Sequence, residues 1–191
     1  MKEQLLDAAE SLVRRRGLDS VSFQEIADAV GIRKPSVFHH VRSKDDLARS
    51  LIGRCGSKYG VQYAAIIAEA IPAPEKLRRI ARTFEDGLKE GRACLLASIS
   101  AARETLSAEA AEELRQAAAG AVSRFAEVFD QGRREGSLAF AGSSTEAASA
   151  FLAMLQGLQS LCRATGRPRQ FRRATVSYVE TLSVPSHRPD A

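Results

Sequence analysis

Four cations and no carboxylate lie between Ala29 and Lys44: Arg33, Lys34, Arg42 and Lys44. Pro35, Ser36, Phe38 and His39 are interleaved with them, so the stretch combines fixed positive charge with hydroxyl and imidazole donors and an aromatic ring. Such groups bond phosphate oxygens and the base edges exposed in a DNA major groove, where Arg reads guanine through O6 and N7. A chain of net charge +5 and pI near 9.4 is drawn to polyanions, and here the charge is clustered. Covalent chemistry has no comparable signal. There is no G-x-S-x-G, H-E-x-x-H or glycine-rich phosphate loop, so no catalytic residue, metal site or cofactor is expected. The three histidines are His39 and His40 in the basic stretch and His187 in a Pro-containing tail over 184–191, read as disordered. Cys55, Cys94 and Cys162 are far apart with no C-x-x-C pair, which predicts reduced thiols.

The elements that must position the basic stretch are marked by capping signals. Ser22 with Glu25 three residues on reads as a capping box, and Val21 with Ile26 as the hydrophobic staple around it. Ile26, Ala27 and Val30 then recur at helical spacing until Gly31, which supplies the left-handed turn. After Ile32 a second short helix begins, with Pro35 tolerated in its first turn. At about 100° per residue, Val37 and Val41 share one face, Pro35 and His39 the opposite one, with Ser36 and Phe38 on the flanks. The outward face is the expected reader. Ser43 with Asp46 caps a third helix, so the segment fits a helix-turn-helix.

Beyond Leu47 every apolar pattern is helical. The helix from Ser43 is expected to run toward Ala70, where Ile71-Pro72-Ala73-Pro74 stops it. Helices follow over 75–90, 92–105, Ser107 to Glu135, Ser143 to Ala164 and Pro168 to Ser183. With the first helix, Leu5 to Arg16, the fold class is all-α with about nine helices. The expected organisation is a DNA-binding head over 1–47 and a larger helical body with a core of its own over 48–183, to which the resemblance described next adds effector binding and dimerisation. Gly53, Gly56 and Gly60 weaken the helix that joins them, which reads either as close packing or as a bending point. There is no signal-peptide pattern and no apolar run of the roughly 18 residues that span a bilayer, so the expectation is a soluble cytoplasmic protein without a membrane partner.

Residues 1 to about 50 resemble the N-terminal domain of the TetR (tetracycline repressor) family of transcriptional regulators. The resemblance rests on Leu5 to Arg16 ending at Gly17, then Phe23, Ile26, Ala27, Val30, Gly31, Ile32, Ser36, Val37, Phe38, His39, Ser43, Lys44 and Leu47. It implies that Arg33, Lys34, Pro35, Ser36, Phe38 and His39 lie in or beside the major groove, with Ser22 and Lys44 on phosphates. Three residues depart from the family's habit: Phe38 for Tyr, Pro35 for Gly or Ala, and Arg33 for a Ser or Thr cap. They bear on operator identity.

The resemblance further implies a homodimer on a palindromic double-stranded operator, released by a small-molecule effector: a repressor. One short helix reads few base pairs, and two heads roughly 34 to 36 Å apart supply specificity. The last two helices carry the expected dimer interface, Phe151, Leu155, Leu158, Cys162, Phe171, Tyr178 and Leu182. The effector is expected among Tyr59, Gln62, Tyr63, Phe84, Leu88 and Cys94, together with Phe125, Phe129, Phe151 and Met154. The rival readings are a helical interaction protein and a redox-sensing regulator without a small-molecule pocket.

Overall fold

The computed structural model describes residues 1–184, so the tail from 185 and His187 lie outside the described residues. Ten α-helices follow one another: α1 Lys2–Arg16, α2 Phe23–Val30, α3 Lys34–Val37, α4 Lys44–Arg54, α5 Val61–Ala68, α6 Ala73–Lys89, α7 Leu95–Ser100, α8 Ala108–Arg134, α9 Ser144–Thr165 and α10 Arg169–Leu182. A π-helical turn, Cys55–Gly60, joins α4 to α5, and a 3-10 turn, Arg103–Thr105, follows α7. Counting α4, the π turn and α5 as one continuous helical stretch leaves nine helices and no strand among the described residues, as expected from the sequence. The stretch differs from the expected unbroken α-helix, and it stops at Ala68.

The capping box is complete at two of the three sites where the sequence places a Ser three residues before an acidic residue at a helix start. Ser22 accepts from the Glu25 amide while Glu25 accepts from the Ser22 amide, and Ser143 with Glu146 does the same. At Ser43 the reciprocal half shifts by one residue, because Asp46 accepts from the Arg42 amide at 2.8 Å. Gly31 and Gly166 take left-handed φ values of 71° and 65°, closing α2 and α9.

Packing divides the chain into two compact units, and not at residue 47. The first comprises Met1–Gly60 with Glu90–Gly120; the second comprises Val61–Lys89 with the described residues from Ala121 onward. In the first unit Leu5, Ala9 and Val13 of α1 are buried with Ile26, Val37, Val41, Leu47 and Leu51, and α7 adds Leu95 and Ile99. These are the i, i+3 and i+4 positions of amphipathic helices, so one core orients the first four helices together. Residues far apart in sequence pin this unit from outside the core. The Ser107 amide and hydroxyl both donate to the Asp45 carboxylate, at 2.8 and 2.9 Å, and Arg49 pairs with Glu113 at 2.7 Å.

The second unit is built on aromatic rings. Phe125 and Phe129 of α8 meet Phe151 of α9 edge-on at 6.1 and 6.0 Å, and Phe151 stacks on Tyr178 of α10 at 6.3 Å. A buried lysine, Lys76, donates to the Ile67 carbonyl and to Gln131, and the Glu135 carboxylate accepts from the Ala73 amide at 2.7 Å. The residues after α10 clip onto the turn after α8: Ala139 donates to the Leu182 carbonyl at 2.8 Å and Val184 to the Ser137 carbonyl at 3.0 Å. Leu138, buried inside that clip, occupies the place a Cβ on Gly132 would take, only 2.3 Å from its Cδ1.

Candidate nucleic-acid interface

The reading face is built on a single turn. α3 holds Lys34–Val37, shorter than the sequence pattern suggests, and the amides of His40 and Val41 extend it by bonding the Val37 carbonyl at 2.9 Å each. Val37 and Val41 are fully buried, which fixes the turn's inner face. Arg33, Lys34, Pro35 and His39 are exposed, and Ser36 is half-buried. The helical-wheel division is therefore the one observed. Arg33 occupies the N-cap of α3 in extended conformation and makes no side-chain cap, which leaves its guanidinium for other partners.

Phe38 is 41% exposed and rests on Phe23 with ring centroids 5.1 Å apart. An aromatic this exposed costs apolar hydration unless something covers it.

Two expected phosphate contacts have other partners. Lys44 is turned inward: its ammonium donates to the Leu18 carbonyl at 2.8 Å and to the Val21 carbonyl. Burial lowers its pKa, opposed by the charges of Asp19 and Glu25. These bonds tie α4 to the loop between α1 and α2, because that loop's carbonyls have no helical partner. Lys44 thus corrects the expectation. The exposed Ser22 hydroxyl is engaged in its capping box, donating to Glu25 at 2.9 Å.

A buried polar network lies under the head. Arg14 donates through Nε to the Ala93 carbonyl at 2.7 Å and through Nη1 to the Tyr59 hydroxyl, which donates to Glu10. Arg54 joins Glu10 at 3.1 Å, Asp7 at 2.8 Å and Glu3 at 2.7 Å. Burial, then the bond to Glu10, pushes the Tyr59 phenol upward. Tyr59 therefore has a load in the first unit that effector assignment did not foresee. No sequence signal marks these partners, which lie 44 to 79 positions apart.

The remaining expected effector residues divide between the units. Cys94 belongs to the first, where it precedes α7. Gln62 is exposed on α5, and Met154 is half-buried on α9. Tyr63 stacks on Phe84 at 6.3 Å and meets Phe125 edge-on at 5.1 Å. Phe84, Leu88, Phe125, Phe129 and Phe151 are buried, and Gln159, 1% exposed, donates to the Phe84 carbonyl at 2.8 Å. These contacts read as an aromatic core with one polar anchor.

Of the expected dimer residues, Phe151, Leu155, Cys162 and Phe171 are buried within one chain and offer a second copy no surface. Their apolar character made them look like interface because periodicity marks a buried face without saying which molecule buries it. The outward side of α9 carries Ala150, Ala153, Gly157 and Leu161, flanked by half-buried Met154 and Leu158. Leu158, Tyr178 and Leu182 remain half-exposed. As for the thiols, burial pushes Cys55 up to about 12, so at neutral pH it holds its proton and is a poor nucleophile.

Among the described residues the chain is helical throughout, and its first helices, which present this short basic helix, have the helix-turn-helix arrangement. Residues 5–51 match the family model described as bacterial regulatory proteins, tetR family. It is 30% identical over 88 residues to the HTH-type transcriptional repressor KstR2 of Rhodococcus jostii (strain RHA1), a stretch covering 46% of this chain and 43% of that protein. The matched stretches span less than half the length of the curated relatives. Among solved structures, a TetR-family regulator from Agrobacterium tumefaciens superposes with a TM-score of 0.89 at 24% identity, covering 96% of this chain and 97% of that one. AibR, in complex with isovaleryl coenzyme A and operator DNA, gives 0.74 at 23% identity over 96% and 98%. At those identities the likeness concerns the fold. No described helix is long and apolar enough to cross a membrane.

Proposed function

We propose that the chain is a ligand-responsive transcriptional regulator, a dimeric repressor that binds a palindromic operator and leaves it when a small, mostly apolar effector binds the second unit. The observation that carries the reading is the exposed row Arg33, Lys34, Pro35, Phe38 and His39, set on a turn whose opposite side is locked by buried Val37 and Val41. Arg33 and Lys34 suit base edges and phosphates respectively, and Ser36 and His39 supply further donors. The outward apolar side of α9, with small residues permitting close helix approach, supports a dimer through Ala150, Ala153, Gly157, Leu158 and Leu161. That AibR, of the same fold, is found with a small acyl-coenzyme A and operator DNA together supports coupling of two ligands on such a scaffold.

Selection of bound sequences from a random duplex pool tests this. A palindromic pair of half-sites roughly 34 to 36 Å apart should be enriched. No enrichment, or the same enrichment with Arg33→Ala and Lys34→Ala, would overturn it.

A further inference from the structure

From Ala147 to Val179 the chain holds five arginines, Arg163, Arg167, Arg169, Arg172 and Arg173, and no acidic residue. That excess equals the net charge of the whole chain, +5. The basic character noted at the head is therefore matched by a second concentration at the other end of the sequence. All five side chains are exposed.

Within α10 itself their placement is electrostatically unfavourable. Arg169, Arg172 and Arg173 occupy the first turns of α10, where the helix dipole is positive and like charges three and four residues apart repel. Pro168, at the N-cap, makes no side-chain cap to offset this, and the first turn holds no acidic residue. Local choices that oppose their own element concentrate where something else is bound.

The geometry supplies a place for it. Between α6 and α10 the second unit has a groove of about 100 Å³, lined by Arg78, Arg82 and Glu85 on one side and Arg172 and Thr175 on the other. In the measure by which a single water needs about 10–15 Å³, that is room for a phosphoryl group with its oxygens. Glu85 is buried and already bound by Arg172 at 3.0 Å and Lys89 at 3.6 Å. Arg78 and Arg82 reach Glu75 only at 3.7 and 3.5 Å, longer than charge-assisted bonds of good geometry. Thr175 bonds its own helix, so the donors facing the groove are guanidinium groups from two helices.

We propose that this groove binds a soluble phosphate-bearing small molecule, with Arg82 and Arg172 clamping the phosphoryl oxygens and Arg78 adding charge. The site is separate from the operator-reading row and from the aromatic core of the second unit.

Calorimetric titration of the full chain with inorganic diphosphate, at ionic strength held constant with chloride, tests it. One saturable site per chain is expected, weakened about tenfold or more by R82Q and by R172Q, since each removes a charge-assisted bond, and unchanged by R33Q. R82Q keeps the question decidable should R172Q, which strips Glu85 of a partner, fail to fold. Absence of a saturable site, equal weakening by R33Q, or Arg82-dependent sedimentation with phosphatidylglycerol vesicles in place of diphosphate binding would each overturn the proposal.

Discussion

The Arg14 guanidinium and the Ala93 carbonyl, 79 positions apart in sequence, are joined at 2.7 Å, and the Ala93 amide returns a bond to the Arg14 carbonyl at 2.9 Å. This two-way link makes residues 90–120 part of the same compact unit as the reading head.

Replacing Arg14 with Leu should destabilise the first unit by about 2–4 kcal/mol, because it removes bonds to Ala93 and Tyr59 and leaves Glu10, itself 4% exposed, with fewer counter-charges. Chemical denaturation would read this; a loss under 0.5 kcal/mol, the range of ordinary surface substitutions, would show the network to be dispensable.

Lys34 and Lys44 should separate in their effects. Lys34→Ala should reduce the slope of log affinity against log salt by about one, as for a lost phosphate contact. Lys44→Ala should leave that slope alone and lower stability by about 1–3 kcal/mol through its two carbonyl partners. The opposite pattern would restore Lys44 to the DNA surface.

The Glu25 carboxylate is held at about 2, against an ordinary 4.5, first by the Ser22 amide and then by Arg16. A depressed folded pKa gives stabilisation that is full above the unfolded value and fades as pH falls through the folded one. The stability gap between the parent and Glu25→Gln should therefore be widest above about pH 5 and close toward pH 2. A gap that stays constant across acid titration would contradict the assigned cap.

At Gly53 and Gly56 an added Cβ would meet nothing within 4 Å, so close packing does not account for either glycine. Ala at either position should stabilise the helix by roughly 0.5–1 kcal/mol. π-helical turns gather at functional sites. Slower amide exchange over 53–60 in these variants, together with a weaker effector response, would identify this turn as the yielding element; unchanged exchange would argue that it is rigid.

Asp in place of exposed Leu161 should leave the fold intact yet yield monomers in sedimentation, with weakened operator binding. A dimer that survives both Leu161→Asp and Ala153→Asp would move the interface elsewhere.

Much of this was legible beforehand where one residue decides one local outcome. Ser22–Glu25 announced its helix start, and the split between buried Val37 and Val41 and exposed His39 followed from rotation per residue. What stayed hidden depends on partners chosen by tertiary structure. Lys44 looked like a phosphate ligand until the loop carbonyls of Leu18 and Val21 came within reach. Phe151 and Phe171 looked like interface because an apolar stripe has the same period whichever chain covers it. The π turn had only its glycines as a herald, and Asp45 with Ser107 had none.

The two rungs that hold residues 182–184 against 137–139 have a practical corollary. A chain cut before Leu182 would lose both together, uncovering Leu138 and the notch above Gly132 beside the aromatic rings. Amide exchange at Ala139 and Val184 should accordingly report how firmly the second unit is closed, and ligands that tighten its interior should slow exchange at rungs they never touch.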